Sequence, residues 1–336
     1  MKTQRFYFLY ALPFILGFVV LARSTLAQEI PPFYSRNQSP FIHIFGLPTA
    51  ESGTLVSDGQ IEARAVFEVI NNFTRDRRPQ QLIILDGETY RYTLFLRWGI
   101  SEKLEAGVDL PYLTHNQGVL DNFIEDWHAV FGFSNKKRQE GEKNQLNYAV
   151  WDKGKTLIQI HQQASGWGDV LFSLAVPLSL KTASFRSIAL RTGVKLPTGN
   201  PHTLHGSGNM DFYLSLNASD KSIEIFWPLW LYGGLGLLFT GKGEVLQGWQ
   251  RHPIVFGSAG IGGHFGQWID LKIQTDAQTA FYDNPSQQLG VFSAQLVMGG
   301  TVNLPRQTFL DLGVSEDLIK DTAPDLILHF ALRRQF

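Results

Sequence analysis

Asp325-Leu-Ile-Leu-His-Phe-Ala-Leu-Arg-Arg-Gln-Phe336 is the stretch on which the fold turns. Leu326, Leu328, Phe330 and Leu332 occupy alternate positions, with Arg334 and Phe336 following in step. Asp325, His329, Arg333 and Gln335 occupy the others, with Ile327 and Ala331 as apolar exceptions. Side chains on a strand alternate faces with period two, so this stretch reads as a β-strand with one apolar and one mostly polar side.

The same alternation recurs through the chain from Ile61 onward. Ala63, Ala65, Phe67 and Val69 oppose Glu62, Arg64 and Glu68, and Thr74 to Gln80 reads as a charged loop. Tyr90, Tyr92, Leu94, Leu96, Trp98 and Ile100 then oppose Arg91 and Arg97, and Leu104 to Tyr112 carries Glu105 and Asp109 on its polar side. A long excursion, roughly Thr114 to Ser165, holds Phe123, Ile124, Trp127, Val130 and Phe131 at helical spacing, so a short amphipathic helix is expected inside it. Strands are next expected over Val170 to Val176 and, after a turn near Lys181 to Phe185, over Ile188 to Leu196 with Arg191 and Lys195. Pro197 to Gly208 reads as a loop, Met210 to Leu216 as a strand, and Asn217 to Asp220 as a tight turn. Leu229 to Phe239 and the glycine-blurred Ile254 to Gly263 follow, then Leu271 and Ile273 opposing Asp270, Lys272, Gln274, Asp276 and Gln278. Leu296 to Val302 and Leu310 to Val314, the latter with Asp311, lead into the closing strand.

The count is about twelve strands. Short connections, near residues 101, 183, 219, 266 and 305, all fall on one side, and the longer ones fall on the other. A membrane barrel sorts its loops in this way, whereas a soluble Greek-key sandwich has no reason to do so. Arg91 and Arg97 within one strand point the same way, because a doubly buried strand would leave two guanidiniums without partners. In a wet lumen that cost disappears.

Composition agrees. The net charge of −1 gives no electrostatic case for nucleic acid, and the absence of cysteine excludes disulfides and thiolate metal sites. Glycine and aromatic residues are abundant while mean hydropathy stays near neutral, as alternating faces require. Lys2 and Arg5, the apolar run Phe6 to Leu21 and the small residues around Ala27 read as a cleaved signal peptide over residues 1–27. Beyond it no stretch approaches the roughly 18 apolar residues of a membrane helix; Phe226 to Phe239 is broken by Pro228 and by glycines. A membrane-spanning chain of this kind must therefore cross as a closed barrel. Residues 28–60, rich in Pro, Ser and Asn, show no period and read as a periplasmic lead-in or a plug, ahead of a barrel over 61–336.

Candidate chemistry is sparse. His205 and Ser207 would share a face if extended, as a membrane lipid hydrolase would require, but they lie in a Pro/Gly-rich stretch where turn formers are expected. The other histidines lack metal-ligand spacing, and Gly257 to Gly263 lacks the spacing of a nucleotide loop. The polar face supplies lumen-lining candidates instead: Glu62, Arg64, Glu68, Arg91, Arg97, Glu105, Asp109, Arg191, Lys195, Asp270, Lys272, Asp276 and Asp311. They would line a selective channel or fill a narrow barrel with ion pairs. Leu328, Phe330, Leu332 and the aromatic Phe336 resemble the closing-strand signal by which outer-membrane barrels are recognised for assembly, with Arg334 departing from it.

Tyr34-Ser-Arg-Asn-Gln-Ser-Pro40, Phe45-Gly-Leu-Pro48, Phe123-Ile-Glu-Asp-Trp-His-Ala-Val-Phe-Gly132, Leu190-Arg-Thr-Gly-Val-Lys-Leu-Pro-Thr-Gly199, Ala280-Phe-Tyr-Asp283 and Asp321-Thr-Ala-Pro-Asp325 carry a further signal. Together they resemble a bacterial outer-membrane family, domain of unknown function 3187, over nearly the whole chain after the leader. The resemblance implies a membrane barrel and brings no substrate or catalytic residue. It also implies a Gly-Ser-Gly loop at Gly206 to Gly208 without a required histidine.

The expected protein is an all-β, closed antiparallel transmembrane barrel in a Gram-negative outer membrane, with one helix-bearing long extracellular loop. Passive, porin-like transport or a structural envelope role is expected, without enzyme activity or cofactor. Its partners would be outer-membrane lipid, the barrel-assembly machinery and a small solute. A lipid-modifying hydrolase using His205 and Ser207, and an exported soluble β-sandwich that binds a ligand, stand as alternatives.

Overall fold

The computed structural model describes residues 29–131, 143–178, 186–224 and 228–336. Twelve strands close on themselves. In chain order they are β1 (Ile61–Arg78), β2 (Gln81–Ser101) and β3 (Leu104–Asn116), with β4 (Asn147–Asp152) and β5 (Lys155–Ile160) lying outside the ring and β6 (Ala164–Trp167) on the β3 edge that the next ring strand continues. The ring continues through β7 (Leu171–Pro177), β8 (Arg186–Lys195), β9 (Asp211–Glu224), β10 (Pro228–Thr240), β11 (Ile254–Phe265) and β12 (Ile269–Gln278). It ends with β13 (Ser293–Leu304), β14 (Thr308–Asp317) and β15 (Leu326–Gln335). Every neighbour is antiparallel, and β15 returns to β1 with Phe330 opposite Phe67, so the ring has no free edge. Two stacked open sheets, the sandwich alternative, are thereby excluded. The expected amphipathic helix is present as α1 (Asp121–Phe131); of its apolar residues, the side chains of Ile124, fully buried, and Phe123, half-exposed, are described.

Alternation sorts the two sides of the wall. Along β12, Ile269, Leu271 and Ile273 are exposed while Asp270, Lys272 and Gln274 are buried. Phe212, Leu214 and Leu216 on β9, Phe172 and Leu174 on β7, and Phe330 and Leu332 on β15 continue this apolar outer band. In water such a surface would be a large aggregation hazard; against acyl chains it is the matching solvent. Trp98, Phe265, Trp268 and Phe336 ring the band at the short-turn end, as interfacial aromatics do. Among the described residues no helix is long and apolar enough to cross a membrane; the crossing elements here are strands.

Three local expectations need correction. Thr74 to Arg78 is not loop but the top of β1, which pairs with β2 down to a tight turn at Pro79 and Gln80. That ribbon rises beyond the roughly 10 residues a membrane strand needs, and charges on a strand in water carry no penalty. β4 pairs with its β2 edge and β5 with β4, so strands occupy part of the excursion that sequence read as loop and helix. Asn217 to Asp220, expected as a tight turn, lies inside β9. Its small polar residues face inward for a reason given below. The turn expected at Lys181 to Phe185 and the residue 1–27 leader lie outside the described residues.

Candidate functional site

The barrel interior is occupied by the chain's own residues 29–60. Ile30 starts near Gly262 at the short-turn end, and the segment climbs past Gln274, which exchanges hydrogen bonds with the Phe33 backbone N–H and carbonyl. It turns over at residues 40–45, beside Leu204 and Tyr282 of the long loops, where His43 contacts the Leu204 carbonyl and the Tyr282 hydroxyl donates to the Phe41 carbonyl. It then descends, with the Gly46 N–H donating to Asp211 and the Gly53 N–H to Ser219, and reaches Gly99 before entering β1. The inward Ser215, Asn217 and Ser219 explain β9: Asn217 donates to the Glu51 carbonyl, and small side chains let the segment lie against the wall. A Cβ on Gly53 would stand 2.3 Å from the Ser187 carbonyl oxygen.

All thirteen charged residues singled out on the polar faces are buried here, and most meet a complementary group. Glu51 of the threaded segment bridges Arg64 at 2.9 Å and Arg97 at 2.8 Å. Arg64 also reaches Glu62, which pairs with Arg333, and Arg97 reaches Asp109 at 2.6 Å. Arg191 pairs with Glu105, whose other oxygen accepts from the Val56 N–H. Lys272 pairs with Asp311 at 2.6 Å and donates to the Pro31 carbonyl, while Asp270 holds His264. Asp276 accepts from Ser35, Gln274 and Gln295, and Glu68 from Gln38. Lys195 lies between Asp169 and Asp211, and also donates to Ser207 and the Ile44 carbonyl. Arg91 differs: it donates to Thr93 and, among the described residues, meets no carboxylate within salt-bridge distance. A buried charge survives when it is paired and hydrogen-bonded, and these residues meet that condition mostly by pairing with one another, the threaded segment adding Glu51 and several hydrogen bonds.

At the long-loop end the chemistry changes. Phe41, Ile42, Ile44, Phe45 and Leu47 pack with Ile83, Tyr148, Leu204, Leu246, Phe281 and Tyr282 in one apolar cluster. Phe45 stacks on Phe281 with centroids 5.1 Å apart. The top of the β1–β2 ribbon, β4 and the loops after β8, β10 and β12 therefore form a cap over the segment's turn. Among the described residues, cavities of about 30 Å³ and 10 Å³ lie below it. They hold a water or two each and no larger solute.

The hydrolase pair does not assemble. His205 contacts Thr203 through Nδ1 at 2.6 Å and the Leu113 carbonyl through Nε2 at 3.2 Å, so neither ring nitrogen faces Ser207. The Ser207 hydroxyl instead accepts from Lys195, which also meets Asp169 and Asp211. Ser207 is also fully buried. Burial lowers the His205 pKa below its ordinary 6.5, against the upward pull of the Leu113 and Thr203 backbone contacts. Among the described residues no group of His, Cys, Asp or Glu could hold a metal ion.

The family described as "Protein of unknown function (DUF3187)" matches residues 8–336. The chain belongs to this family. No curated protein matches it by sequence. Among solved structures, the COG4313 outer membrane channel from Pseudomonas putida F1 is similar with a TM-score of 0.52 at 9% identity, covering 84% of this chain and 97% of that one. The NanC porin (TM-score 0.43, 5% identity, 81% and 97% covered) and the Ralstonia pickettii toluene transporter TbuX (0.41, 8%, 84% and 90%) are more distant. At such identities the likeness speaks for the outer-membrane barrel fold alone.

Sequence reasoning did not reach Glu51, Asp169, Asp211 or Arg36. Each lies outside a regular strand or at its first residue, where alternation gives no signal. On β15, Leu328 is partly exposed and Phe330, Leu332 and Phe336 point outward, while His329 and Arg333 turn into the interior.

Proposed function

We propose that this protein is a passive outer-membrane channel for a small solute, closed at rest by residues 29–60 and opened when that segment shifts. The observation that carries the proposal is the character of the contact between segment and wall. Within the barrel, beside the buried Ile30, Phe33 and Tyr34, it is made by hydrogen bonds and ion pairs: Glu51 with Arg64 and Arg97, Gln38 with Glu68, Ser35 with Asp276. Water or a polar solute can replace such bonds one for one, so the net cost of moving the segment stays modest. A barrel kept only as an envelope strut gains more from a dry apolar filling, because ion pairs recover little beyond their own desolvation.

The outward row Leu328, Phe330, Leu332 and Phe336 is, in this reading, what the barrel-assembly machinery engages, and outer-membrane lipid surrounds the apolar band. Hydrolysis is disfavoured by the His205 and Ser207 contacts. Single-channel recording in planar bilayers tests the proposal. Brief openings in the full chain, made frequent when Glu51 is replaced by Gln, support it. Silence in both proteins removes it and leaves the structural envelope role.

A further inference from the structure

We infer that the solute's route runs along β10 and β11, between the two arms of the threaded segment and the wall, and that it suits an uncharged polyhydroxylated molecule, a polyol or small sugar. The inference rests on the transport proposal and deepens it. The segment is anchored unevenly. Its bonds reach Arg64 on β1, Arg97 on β2, Glu105 on β3, Lys195 on β8, Asn217 on β9 and Gln274 on β12. Among the described residues no hydrogen bond or ion pair of the segment reaches β10, or β11 as far as Gly262. Moving the segment away from these two strands therefore breaks nothing on that side.

β10 and β11 are neighbours in the ring, and neither contains an Asp, Glu, Lys or Arg. Their inner faces carry small residues, Gly234 and Gly236 on β10 and Ser258 and Gly260 on β11. A Cβ on any of these glycines would first meet the wall's own Asn217, Phe256 or Tyr232, not the segment. The larger cavity lies against this sector, with Gly234, Phe256 and Ser258 on the wall side and Ser35 and Thr49 on the two arms. At rest it holds water, and the solute follows once the segment shifts. The unmet hydrogen-bonding capacity there is neutral. Gln278, 3% exposed, lines the cavity and its Nε2 has no partner among the described residues; neither has the buried Tyr232 hydroxyl on the same wall. The charged groups around the cavity are two of each sign and already engaged: Glu51 with Arg64 and Arg97, Arg191 with Glu105, Asp276 with Ser35 and Gln295, and Arg36 with the Leu47 carbonyl. Buried amide and hydroxyl groups without partners are costly in a sealed wall and useful where hydroxyls pass. The rings of Tyr213 and Phe256 beside them offer an apolar face to the C–H groups of such a solute. A charged solute would leave water beside two strands that provide no counter-charge.

The test uses the full chain carrying Glu51→Gln, reconstituted in vesicles and shown folded by heat-modified migration. Uptake of labelled mannitol, gluconate and glucosamine is followed, six-carbon solutes that are neutral, negative and positive. Mannitol should enter faster than either charged solute by about tenfold or more, the cost of shedding water without a counter-charge. Because the chain has no cysteine, Ser258→Cys, Ser215→Cys and, between Arg64 and Glu68 on β1, Val66→Cys can each be treated with an uncharged maleimide. Treatment at 258 should remove most of the mannitol entry, and treatment at 66 should leave it unchanged. If Ser258→Cys fails to fold, Ser215→Cys on the neighbouring strand decides in its place. Charged solutes entering as fast as mannitol, or a block that acts at 66 and not in the β9–β11 sector, overturns the inference and leaves the transport proposal standing. Entry of none of the three solutes removes the transport proposal and the route with it.

Discussion

Replacing Glu51 with Gln should loosen the threaded segment without opening the barrel wall. The carboxylate is the one acidic group that the segment places between two wall arginines, Arg64 at 2.9 Å and Arg97 at 2.8 Å, both almost fully buried. Removing one partner of a buried ion pair costs about 3–5 kcal/mol. Here each arginine keeps a second carboxylate, Glu62 for Arg64 and Asp109 for Arg97, so the low end, about 3 kcal/mol, applies. At about 1.4 kcal/mol per decade, the population with the segment displaced should rise roughly a hundredfold. When displacement is fast relative to cleavage, proteolysis follows that population. Limited proteolysis of the detergent-solubilised protein should cut within 29–60 about a hundred times faster in the variant, while the barrel still migrates as a compact species until heated. Equal cleavage rates in the two proteins would refute the reasoning, and so would loss of the compact species at the same protease dose.

Gly53→Ala should displace the descending arm, because the new Cβ would meet the Ser187 carbonyl at 2.3 Å and the Ser219 backbone nitrogen at 2.8 Å; cleavage within 29–60 should rise while strand content by circular dichroism holds. Ser207→Ala should produce no change in any lipid-hydrolysis assay, and an activity that appears in the parent and vanishes in the variant would restore the hydrolase. The cap should weaken in mild acid. His205 is held below its ordinary 6.5, so the unfolded chain takes up the proton first and stability contributed by the neutral ring is lost as pH falls below that value. Hydrogen exchange of residues 196–210, corrected for intrinsic rates, should quicken between pH 7 and 5 and do so less in His205→Gln, where His43 against the Leu204 carbonyl, also held below its ordinary value by burial, still titrates.

Alternation made the wall legible. β12 is the clearest case, since each of its charged residues faces an apolar exterior neighbour and no other strand geometry accommodates that order. The thirteen interior charges were legible for the same reason. What they bind was not, because Glu51, Arg36 and Ser52 belong to a segment without period, and a coil's contacts are set by the wall that encloses it. Asn217 to Asp220 misled because Asn and Ser favour turns through hydrogen bonds to nearby backbone, and the same short polar groups suit a wall that must admit a chain at close range. The apolar exceptions Ile327 and Ala331 on the last strand find their meaning only in three dimensions. Ala331 packs with Val66 and Phe95, and Phe95 lies 6.0 Å from the ring of Tyr34 in the threaded segment.

The central claim is that lipid surrounds this wall and that its charges face inward. The chain contains no cysteine, so single cysteines can be introduced in turn over residues 269–275 of β12 and given a fluorophore in vesicles whose acyl chains carry bromine. Quenching at 269, 271 and 273 with protection at 270, 272 and 274 is the predicted pattern. Quenching at Lys272 and Gln274, or the same quenching at every position, would contradict it.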